Sequence, residues 1–272
     1  MSIQVLNNIS SLVAENAVSN TQTDLQKTLQ ELSTGLKINS GSDDPAGLSI
    51  AEGLGANISA LTQSSQNASN GVGLLQTADG ALSQVNTILN QAVTIATEAS
   101  NSGLTTSQST ALNTEFTSIL SEIDQIGSTT NFNGTTVFGT TATTFTSDGT
   151  SAGSTSTSTA IDALTSAGLG LSADSLTSTT AAQAALTDIT AAIATISAER
   201  GTIGASVNQL TSDEGVESTE IQNLTSSQNN VQNADVATVT SNLSQQDVLE
   251  QTGFYALSSS NQSEQAVEKL LQ

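Results

Sequence analysis

The chain lacks several residue types on which common protein functions depend. Its 272 residues include no cysteine, no histidine and a single proline. A protein without cysteine and histidine has no disulfide, thiol nucleophile or imidazole base, and it lacks the usual zinc ligands. Most familiar catalytic and metal sites are therefore excluded. We expect no enzymatic activity, no cofactor and no metal.

Aromatic residues are also scarce, at 2% of the chain. Any core must then be built from Leu, Ile, Val and Ala, which suits slender helix-on-helix packing better than a wide globular centre. Basic residues are scarcer still, with 4 against 25 acidic residues and a formal net charge of -21. A chain this acidic repels phosphate backbones and anionic lipids, so we expect neither nucleic-acid nor membrane partners.

The first twenty residues contain no Lys, no Arg and no continuous apolar run. They lack the charged and apolar regions of a cleaved signal peptide, and no stretch of the chain reads as a transmembrane span. If the protein leaves the cell, we expect it to use a route that does not read such a signal.

Apolar spacing predicts a first helix. Leu25, Leu29, Leu32 and Leu36 form one stripe, which Ile9, Val13 and Ala17 continue loosely upstream. Residues 38–47 break this helix, and Asp44 and Pro45 are suited to be the N-cap and first residue of the next one. Asp43 and Asp44 are interpreted as capping residues, not as a catalytic pair.

Two further helices follow in the first half of the chain. A long coiled-coil-like helix is predicted from Leu54 to Ala96, with Leu82 and Leu89 among its repeating positions. After a loop at residues 101–106, a shorter helix is expected to fold back and to end at Gly127.

The centre of the chain is rich in Ser, Thr and Gly. Asn133-Gly134 between apolar residues predicts a hairpin at 131–145, and the tract 146–159 is interpreted as an exposed loop. That loop fits either a carrier of O-linked sugars or a flexible cover.

Helical spacing resumes in the second half and holds a single heptad register from Leu186 to Val231. Four of the seam positions are polar or charged, which weakens a seam but can fix its register; they are Arg200, Glu214, Glu217 and Gln228. The acidic group Asp213, Glu214, Glu217 and Glu220 lacks the ligand loop of a calcium hand and is interpreted as a solvated helix face. After a joint near 233–235, a last helix runs to the end, where Phe254 and Tyr255 are expected to pack between helices.

The predicted fold class is mainly α: a long antiparallel helical bundle or coiled coil built from both chain ends, with a small β-hairpin and loop region in the centre. Each terminal helix would be marginal alone and should order when bundled with copies from other subunits. The preferred function is therefore self-association. The predicted subunit-interface residues are Leu25, Leu29, Leu32, Leu36, Leu82, Leu89, Val239, Leu243, Leu249, Leu257, Val267, Leu270 and Leu271.

Several motifs of this chain resemble those of the bacterial flagellins. The first half carries LSTGLKINS at 32–40, DDPAGLSIA at 43–51, QNASNG at 66–71 and QTADGAL at 76–82. The second half carries IGA at 203–205, NADVA at 233–237 and a closing Leu270-Leu271. The resemblance covers roughly residues 1–138 and 185–272, and its motifs are specific in combination.

This resemblance implies an inner domain from 1–43 and 235–272, an outer helical domain from 44–138 and 181–234, and a short Ser/Thr-rich hairpin and loop region at 139–180. It also implies an extracellular filament, reached by flagellar type III export without a cleaved signal peptide. The implied partners are copies of the chain itself, an export chaperone at the C-terminal helix, and filament cap and hook-junction proteins. The large central domain of many flagellins is absent.

One departure concerns host recognition. Flagellins that activate the vertebrate innate receptor carry a basic residue and a Glu-Leu pair in a stretch that aligns with Leu89–Ala96. Here Gln91 replaces the arginine, and Thr94 followed by Ile95 replaces the Glu-Leu pair. The resemblance therefore implies weak or absent receptor activation. Two other functions remain as alternatives: the related hook-filament junction protein, and a secreted adhesin or enzyme with a coiled-coil stalk.

Overall fold

A computed structural model describes residues 9–147 and 154–271. The described residues form five helices: α1 (Ile9–Thr34), α2 (Pro45–Ala99), α3 (Thr106–Thr129), α4 (Thr179–Gln232) and α5 (Val236–Leu271). They also form two antiparallel hairpins, one from β1 (Asn131–Phe132) and β2 (Thr135–Thr136), the other from β3 (Thr140–Ser147) and β4 (Ser154–Ile161). The predicted fold class is confirmed.

The chain divides into two compact units. The first unit contains Met1–Ala56 and Asn223–Gln272, and the second contains Asn57–Gln222. Both divisions fall inside the long helices α2 and α4, not at the joints between helices. The domain boundaries expected from the sequence, at 43, 138, 180 and 234, stay predictions.

Local capping explains where α2 and α3 begin. Asp44 Oδ1 accepts hydrogen bonds from the N–H groups of Ala46 at 3.2 Å and Gly47 at 3.0 Å, with Pro45 as the first helical residue. At α3 the Thr105 side chain and Gln108 form a reciprocal capping box. Each cap satisfies N–H groups that have no partner within the helix. The predicted start of α2 is confirmed.

Helices α2 and α4 run antiparallel in the second unit, since residue 64 of α2 meets residue 217 of α4 and residue 79 meets residue 200. Their core is aliphatic, as the shortage of aromatics predicts, and Phe116 of α3 is the largest fully buried side chain. The heptad register predicted for α4 is confirmed by burial. Its buried Ile and Leu side chains recur every seven residues, at Ile189, Ile196, Ile203 and Leu210.

Three of the four polar positions in the α4 register have partners across the seam. Arg200 Nε donates to Asp79 Oδ1 at 2.7 Å, and Gln228 Nε2 donates to the Ala51 carbonyl at 3.0 Å. Glu217 accepts a hydrogen bond from the Ser64 hydroxyl and is only 4% exposed. The interpretation of this acidic group as a solvated helix face is therefore wrong for Glu217, whose heptad position turns it inward.

The segment from 162 to 178 lies against α3. The Ser166 N–H and hydroxyl donate to the Asp124 carboxylate at 2.6 and 2.9 Å, and the Leu176 N–H donates to Asn113 Oδ1 at 2.7 Å. Gly127 does not end α3, which continues to Thr129. A Cβ at Gly127 would lie 1.8 Å from the Leu164 carbonyl oxygen, so this glycine permits the close approach of the segment.

The hairpin prediction at Asn133-Gly134 is confirmed for residues 131–136, whereas residues 140–145 of the predicted range pair with β4 in the second hairpin. Asn133 and Gly134 both have positive φ, 51° and 80°, as a tight two-residue hairpin turn requires. The prediction of an exposed loop across 146–159 is wrong where the structure describes it, because Ser147 ends β3 and Ser154 begins β4. Thr144, Thr146 and Thr159 are buried on one face of that hairpin. Residues 148–153 of the predicted loop lie outside the described residues.

Helix α4 is the one described helix that is long and apolar enough, by length and composition, to cross a membrane. Its apolar character has another cause in the fold, because Ile189, Ile196 and Ile203 pack in the core of the second unit.

Candidate subunit interface

Helices α1 and α5 pair within the first unit and run antiparallel. Ser11 Oγ of α1 donates to Asn261 Oδ1 of α5 at 3.1 Å, and Gln22 Nε2 donates to Glu250 Oε1 at 3.2 Å. The two bonds fix one register, because residue numbers rise along α1 as they fall along α5.

The seam between these helices combines five large apolar side chains with a majority of small and polar ones. On α1 the most enclosed positions follow heptad spacing and are Ser11, Ala14, Val18, Thr21, Leu25 and Thr28. On α5 they are Val239, Leu243, Gln246, Glu250, Gly253, Leu257 and Ser260. A Cβ at Gly253 would lie 2.6 Å from Val18 Cγ2, so the backbones approach closely there. Such a seam sets a register but buries less apolar area than a seam with apolar residues at every position.

Most of the large apolar residues of α1 lie on other faces. Ile9, Leu12 and Val13, spaced by three and four residues, share one exposed face, and Val13 is 63% exposed. Leu29 and Leu32 are exposed as well. Of the stripe predicted at Leu25 to Leu36, only Leu25 therefore belongs to the seam with α5. The stripe also overran the helix, because α1 ends at Thr34.

Helix α5 repeats this arrangement. Val248 and Tyr255 stand two turns apart on the side facing away from the seam, and Tyr255 is 77% exposed. Leu249 and Phe254 flank them and are exposed too. The expectation that Phe254 and Tyr255 pack between helices is not met within this chain. We call Ile9, Leu12 and Val13 the α1 outer patch, and Val248, Leu249, Phe254 and Tyr255 the α5 outer patch.

A backbone joint closes the first unit beyond the α1–α5 seam. The Lys37 N–H donates to the Gln232 carbonyl at 2.7 Å, and the Ala234 N–H donates to the Gly35 carbonyl at 2.9 Å. Leu36 and Asn233 therefore form an isolated β-bridge. The break between α1 and α2 is thus fastened to the break between α4 and α5, near the joint predicted at 233–235.

Two carboxylates stabilise these breaks. Hydrogen bonds from the Asn39 and Ser40 N–H groups lower the pKa of Asp43, whose carboxylate also lies 3.4 Å from Lys27 Nζ. At the start of α5, hydrogen bonds from the Thr238 hydroxyl and the Ala237 N–H lower the pKa of Asp235. Each carboxylate accepts hydrogen bonds from N–H groups in the connection between two helices, so its ionised form is favoured.

The sequence-predicted interface residues fall into four groups. Leu29, Leu32 and Leu249 are exposed, and Leu25, Leu36, Leu243 and Leu257 are half-buried. Val239 is buried in the first unit, and Leu82 and Leu89 are 0% exposed in the core of the second. The structure describes the backbone but not the side chains of Val267, Leu270 and Leu271. Because Leu82 and Leu89 have no surface left for another copy, they form no part of the interface proposed below.

Sequence reasoning found the outer patches only in part: it named Leu249 as an interface residue and listed Ile9 and Val13 as a loose part of the stripe. Leu12-Val13, Val248-Leu249 and Phe254-Tyr255 are adjacent apolar pairs. Neighbours in a helix point about 100° apart, so both members of a pair cannot lie in one narrow seam. Such pairs indicate a helix with a second apolar face.

The positions aligned with the innate-receptor epitope lie on α2. Gln91 and Thr94 are exposed, and Thr94 Oγ1 donates to the Asn90 carbonyl at 3.2 Å. Ile95 is buried in the core of the second unit. The two substituted positions are thus available to a partner, and the third belongs to the fold.

The described residues of the first unit therefore offer exposed apolar surface. Within the described ranges, no three Asp or Glu side chains are grouped closely enough to hold a metal ion. Contiguous exposed apolar side chains on a helix are typical of surfaces that associate with another protein.

Comparison with known proteins agrees with this arrangement. Residues 5–143 match the family model of the bacterial flagellin N-terminal helical region, and residues 186–271 match that of the bacterial flagellin C-terminal helical region. A flagellin of Serratia marcescens is 48% identical over 84 residues, which are 30% of this chain and 24% of that protein. A flagellin of Bordetella bronchiseptica is 42% identical over 86 residues, which are 32% of this chain and 22% of that protein.

The matched part is thus less than a quarter of the length of these relatives. Among solved structures, the crystal structure of Bacillus cereus flagellin is 26% identical, with a TM-score of 0.48, and the match covers 56% of this chain and 88% of that one. The first family model alone spans more than half of the sequence, from residue 5 to residue 143. The chain belongs to the bacterial flagellin family.

Proposed function

We propose that this chain is a structural subunit that is exported from the cell and polymerises into the bacterial flagellar filament. The observation that carries the proposal is the exposed apolar surface of the first unit. Its helices meet through a seam in which many residues are small or polar, and they leave the α1 and α5 outer patches exposed to solvent. A monomer leaves those patches in water, whereas a polymer buries them between copies.

The energetics favour association over isolation. Full burial of one Val, Leu or Phe side chain contributes about 1.5–3 kcal/mol. Burial of the outer patches against neighbouring copies would therefore add to what the α1–α5 seam contributes within one chain. Along a polymer, each copy makes such contacts with more than one neighbouring copy.

The same surfaces support the proposed partners. Before assembly the α5 outer patch is an exposed apolar face, and an export chaperone bound there would prevent premature association. We extend the proposal to a filament cap and hook-junction proteins, which would contact the same helices at the two ends of the polymer. Family membership supports a structural role without catalysis in an extracellular filament.

The test uses matched valines. Val13 in the α1 outer patch and Val216 on α4 are both 63% exposed, and Val248 in the α5 outer patch is 59% exposed. Val13→Ser and Val248→Ser should each raise the concentration needed for polymerisation about tenfold or more, since that factor corresponds to about 1.4 kcal/mol per buried valine. Val216→Ser should leave this concentration near the wild-type value.

Polymer mass is measured by sedimentation, and filament morphology by electron microscopy. Far-UV circular dichroism of the monomers checks that helix content is unchanged. Equal impairment by all three variants, or by none, would show that the outer patches are not the polymer contacts.

We also propose that this flagellin activates the vertebrate innate receptor weakly or not at all. Gln91 and Thr94 are exposed, but they lack the positive and negative charges that the receptor-activating stretch carries. A reporter-cell assay should show a weak response to the wild-type chain and a stronger one to Gln91→Arg combined with Thr94→Glu. A full-strength wild-type response would overturn the proposal.

A further inference from the structure

A buried carboxyl group links α2 and α4 in the second unit. Glu217 is 4% exposed, and its Oε1 accepts a hydrogen bond from the Ser64 hydroxyl. Its second oxygen, Oε2, is buried and has no hydrogen-bond partner. Burying a carboxylate costs free energy unless both of its oxygens accept hydrogen bonds, so this position favours the neutral carboxylic acid.

The surrounding charges act in the same direction. Asp213, Glu214 and Glu220 lie within four residues of Glu217 on α4, and Glu214 also has a buried oxygen without a partner. Burial, followed by the negative charge of these three neighbours, raises the pKa of Glu217, although the Ser64 hydrogen bond partly opposes the rise. The acidic neighbours would all repel an ionised Glu217.

No base is placed to offset this repulsion. The charged residues of α2 are Glu52, Asp79 and Glu98, each more than ten residues from Ser64 along the chain, and β3 and β4 carry none. Arg200 is the single base of the second unit and already binds Asp79. It stands 17 residues from Glu217 on α4, or about 25 Å at 1.5 Å per residue.

We propose that Glu217 and Ser64 form a proton-operated latch between α2 and α4. When Glu217 is protonated, the carboxyl keeps the contact with Ser64, and no charge is buried. When it ionises, the carboxylate is buried without a base and faces three acidic neighbours, so the latch loosens. Because the folded protein binds this proton more tightly than the unfolded chain does, the stabilisation is complete below the ordinary glutamate pKa. It is lost as the pH rises through the raised value.

The latch at Glu217 binds a proton and not a metal ion. Within the described residues no group of three acidic side chains is arranged to hold a metal, although several acids are near in sequence. The latch operates in the monomer and does not depend on polymerisation, so its failure and the failure of the filament proposal are separate results.

The test compares the full-length wild-type chain with Glu217→Gln and Glu220→Gln, kept monomeric in urea unfolding followed by circular dichroism. Glutamine keeps an oxygen for Ser64 but cannot ionise. At pH 8 Glu217→Gln should unfold at a higher urea concentration than wild type, and this difference should shrink toward zero as the pH is lowered to 4.5. Glu220 lies one helical turn from Glu217 and is less buried. Glu220→Gln removes the same charge as Glu217→Gln, but its difference in stability from wild type should change much less with pH.

A second variant keeps the proposal testable if Glu217→Gln folds poorly. Ser64→Ala removes the hydrogen bond that opposes protonation, so the pH at which wild-type stability is lost should move upward. An unchanged pH profile in both variants would overturn the latch. So would abolition of the Glu217→Gln difference at pH 8 by calcium chloride at constant ionic strength, because that result would assign the site to a cation.

Discussion

In the second unit, heptad positions carry large apolar side chains and point inward, as Leu75, Leu82 and Leu89 of α2 do. In the first unit, many positions with the same spacing carry polar residues such as Thr21, Thr28 and Glu250, and the large apolar residues of the two outer patches point outward. The heptad repeat sets only which residues face the partner helix. Whether a unit is complete by itself depends on which residues occupy those positions.

The largest expected difference between the units comes from removing α5. Deletion of residues 236–272 takes away the α5 outer patch and the partner of α1, so polymerisation should be lost completely. The second unit contains none of the deleted residues. Its melting transition should therefore stay within a few degrees of the wild-type value.

Sedimentation would measure the loss of polymer, and thermal circular dichroism would measure the retained transition. Filaments of normal diameter from the truncated chain would show that α5 has been assigned the wrong role. Loss of the second unit's transition would instead mean that the two units do not fold independently.

A substitution in the core of the second unit should instead lower the stability of that unit. Leu82 is fully buried, so Leu82→Ala should destabilise the second unit by about 2–5 kcal/mol through lost burial and a cavity. Val216→Ala, at an exposed position of the same unit, should change its stability by less than about 0.5 kcal/mol. Urea unfolding of the monomers gives both values, and equal effects would contradict the closed core assigned to this unit.

The sequence predicts the second unit better than the first for a physical reason. Where the core is apolar, burial and periodicity coincide, so the register from Leu186 to Val231 could be predicted from spacing. In α1 and α5 the seam is partly polar, and several large apolar residues lie outside it. Spacing alone therefore does not separate Leu25, which is in the seam, from Leu29 and Leu32, which are exposed. The assignment of this stripe to a subunit interface stays a prediction.

Composition also gives the wrong environment for some charged residues and for strands rich in Ser and Thr. Glu217 belongs to an acidic group, whose composition suggests solvent, but its heptad position places it inside. β4 reads Ser-Thr-Ser-Thr-Ser-Thr, which resembles a low-complexity loop by composition. Its alternation nevertheless places Thr157 and Thr159 on one face, and threonine is favoured in strands. The caps at Asp44 and the turn at Asn133-Gly134 were predictable because their chemistry is local.

Two glycines distinguish a close helix contact from an open helix surface. A Cβ at Gly253 would lie 2.6 Å from Val18 Cγ2, whereas one at Gly204 would meet nothing within 4 Å. Gly→Ala in a helix gains about 1 kcal/mol from propensity, but overpacking costs about 1–3 kcal/mol. Gly204→Ala should therefore stabilise the second unit, and Gly253→Ala should leave the first unit unchanged or destabilise it by up to about 2 kcal/mol. Thermal circular dichroism separates these outcomes, and equal stabilisation by both would show that the α1–α5 seam is looser than the structure indicates.

The smallest expected difference is in the response to pH. Burial, followed by the neighbouring charge of Asp188, raises the pKa of Asp174 in the second unit to about 6. The folded state binds this proton more tightly, so the associated stability is lost as the pH rises through about 6. The joint carboxylates Asp43 and Asp235 in the first unit have lowered pKa values, so their contribution is lost only as the pH falls below the ordinary aspartate value.

Acidification from pH 8 to 5 should therefore stabilise the second unit and leave the joint of the first unaffected. Asp174→Asn should raise the melting temperature of the second unit at pH 8 but not at pH 5. Asp188→Asn should produce a smaller shift of the same sign, because it removes the neighbouring charge but leaves Asp174 buried. Asp235→Asn should weaken the joint at both pH values, since amide nitrogen replaces one oxygen of a carboxylate that is ionised throughout this range. If all three variants gave the same pH profile, the two units would not differ in how they hold their carboxyl groups, and the contrast between a closed and an open unit would rest on apolar burial alone.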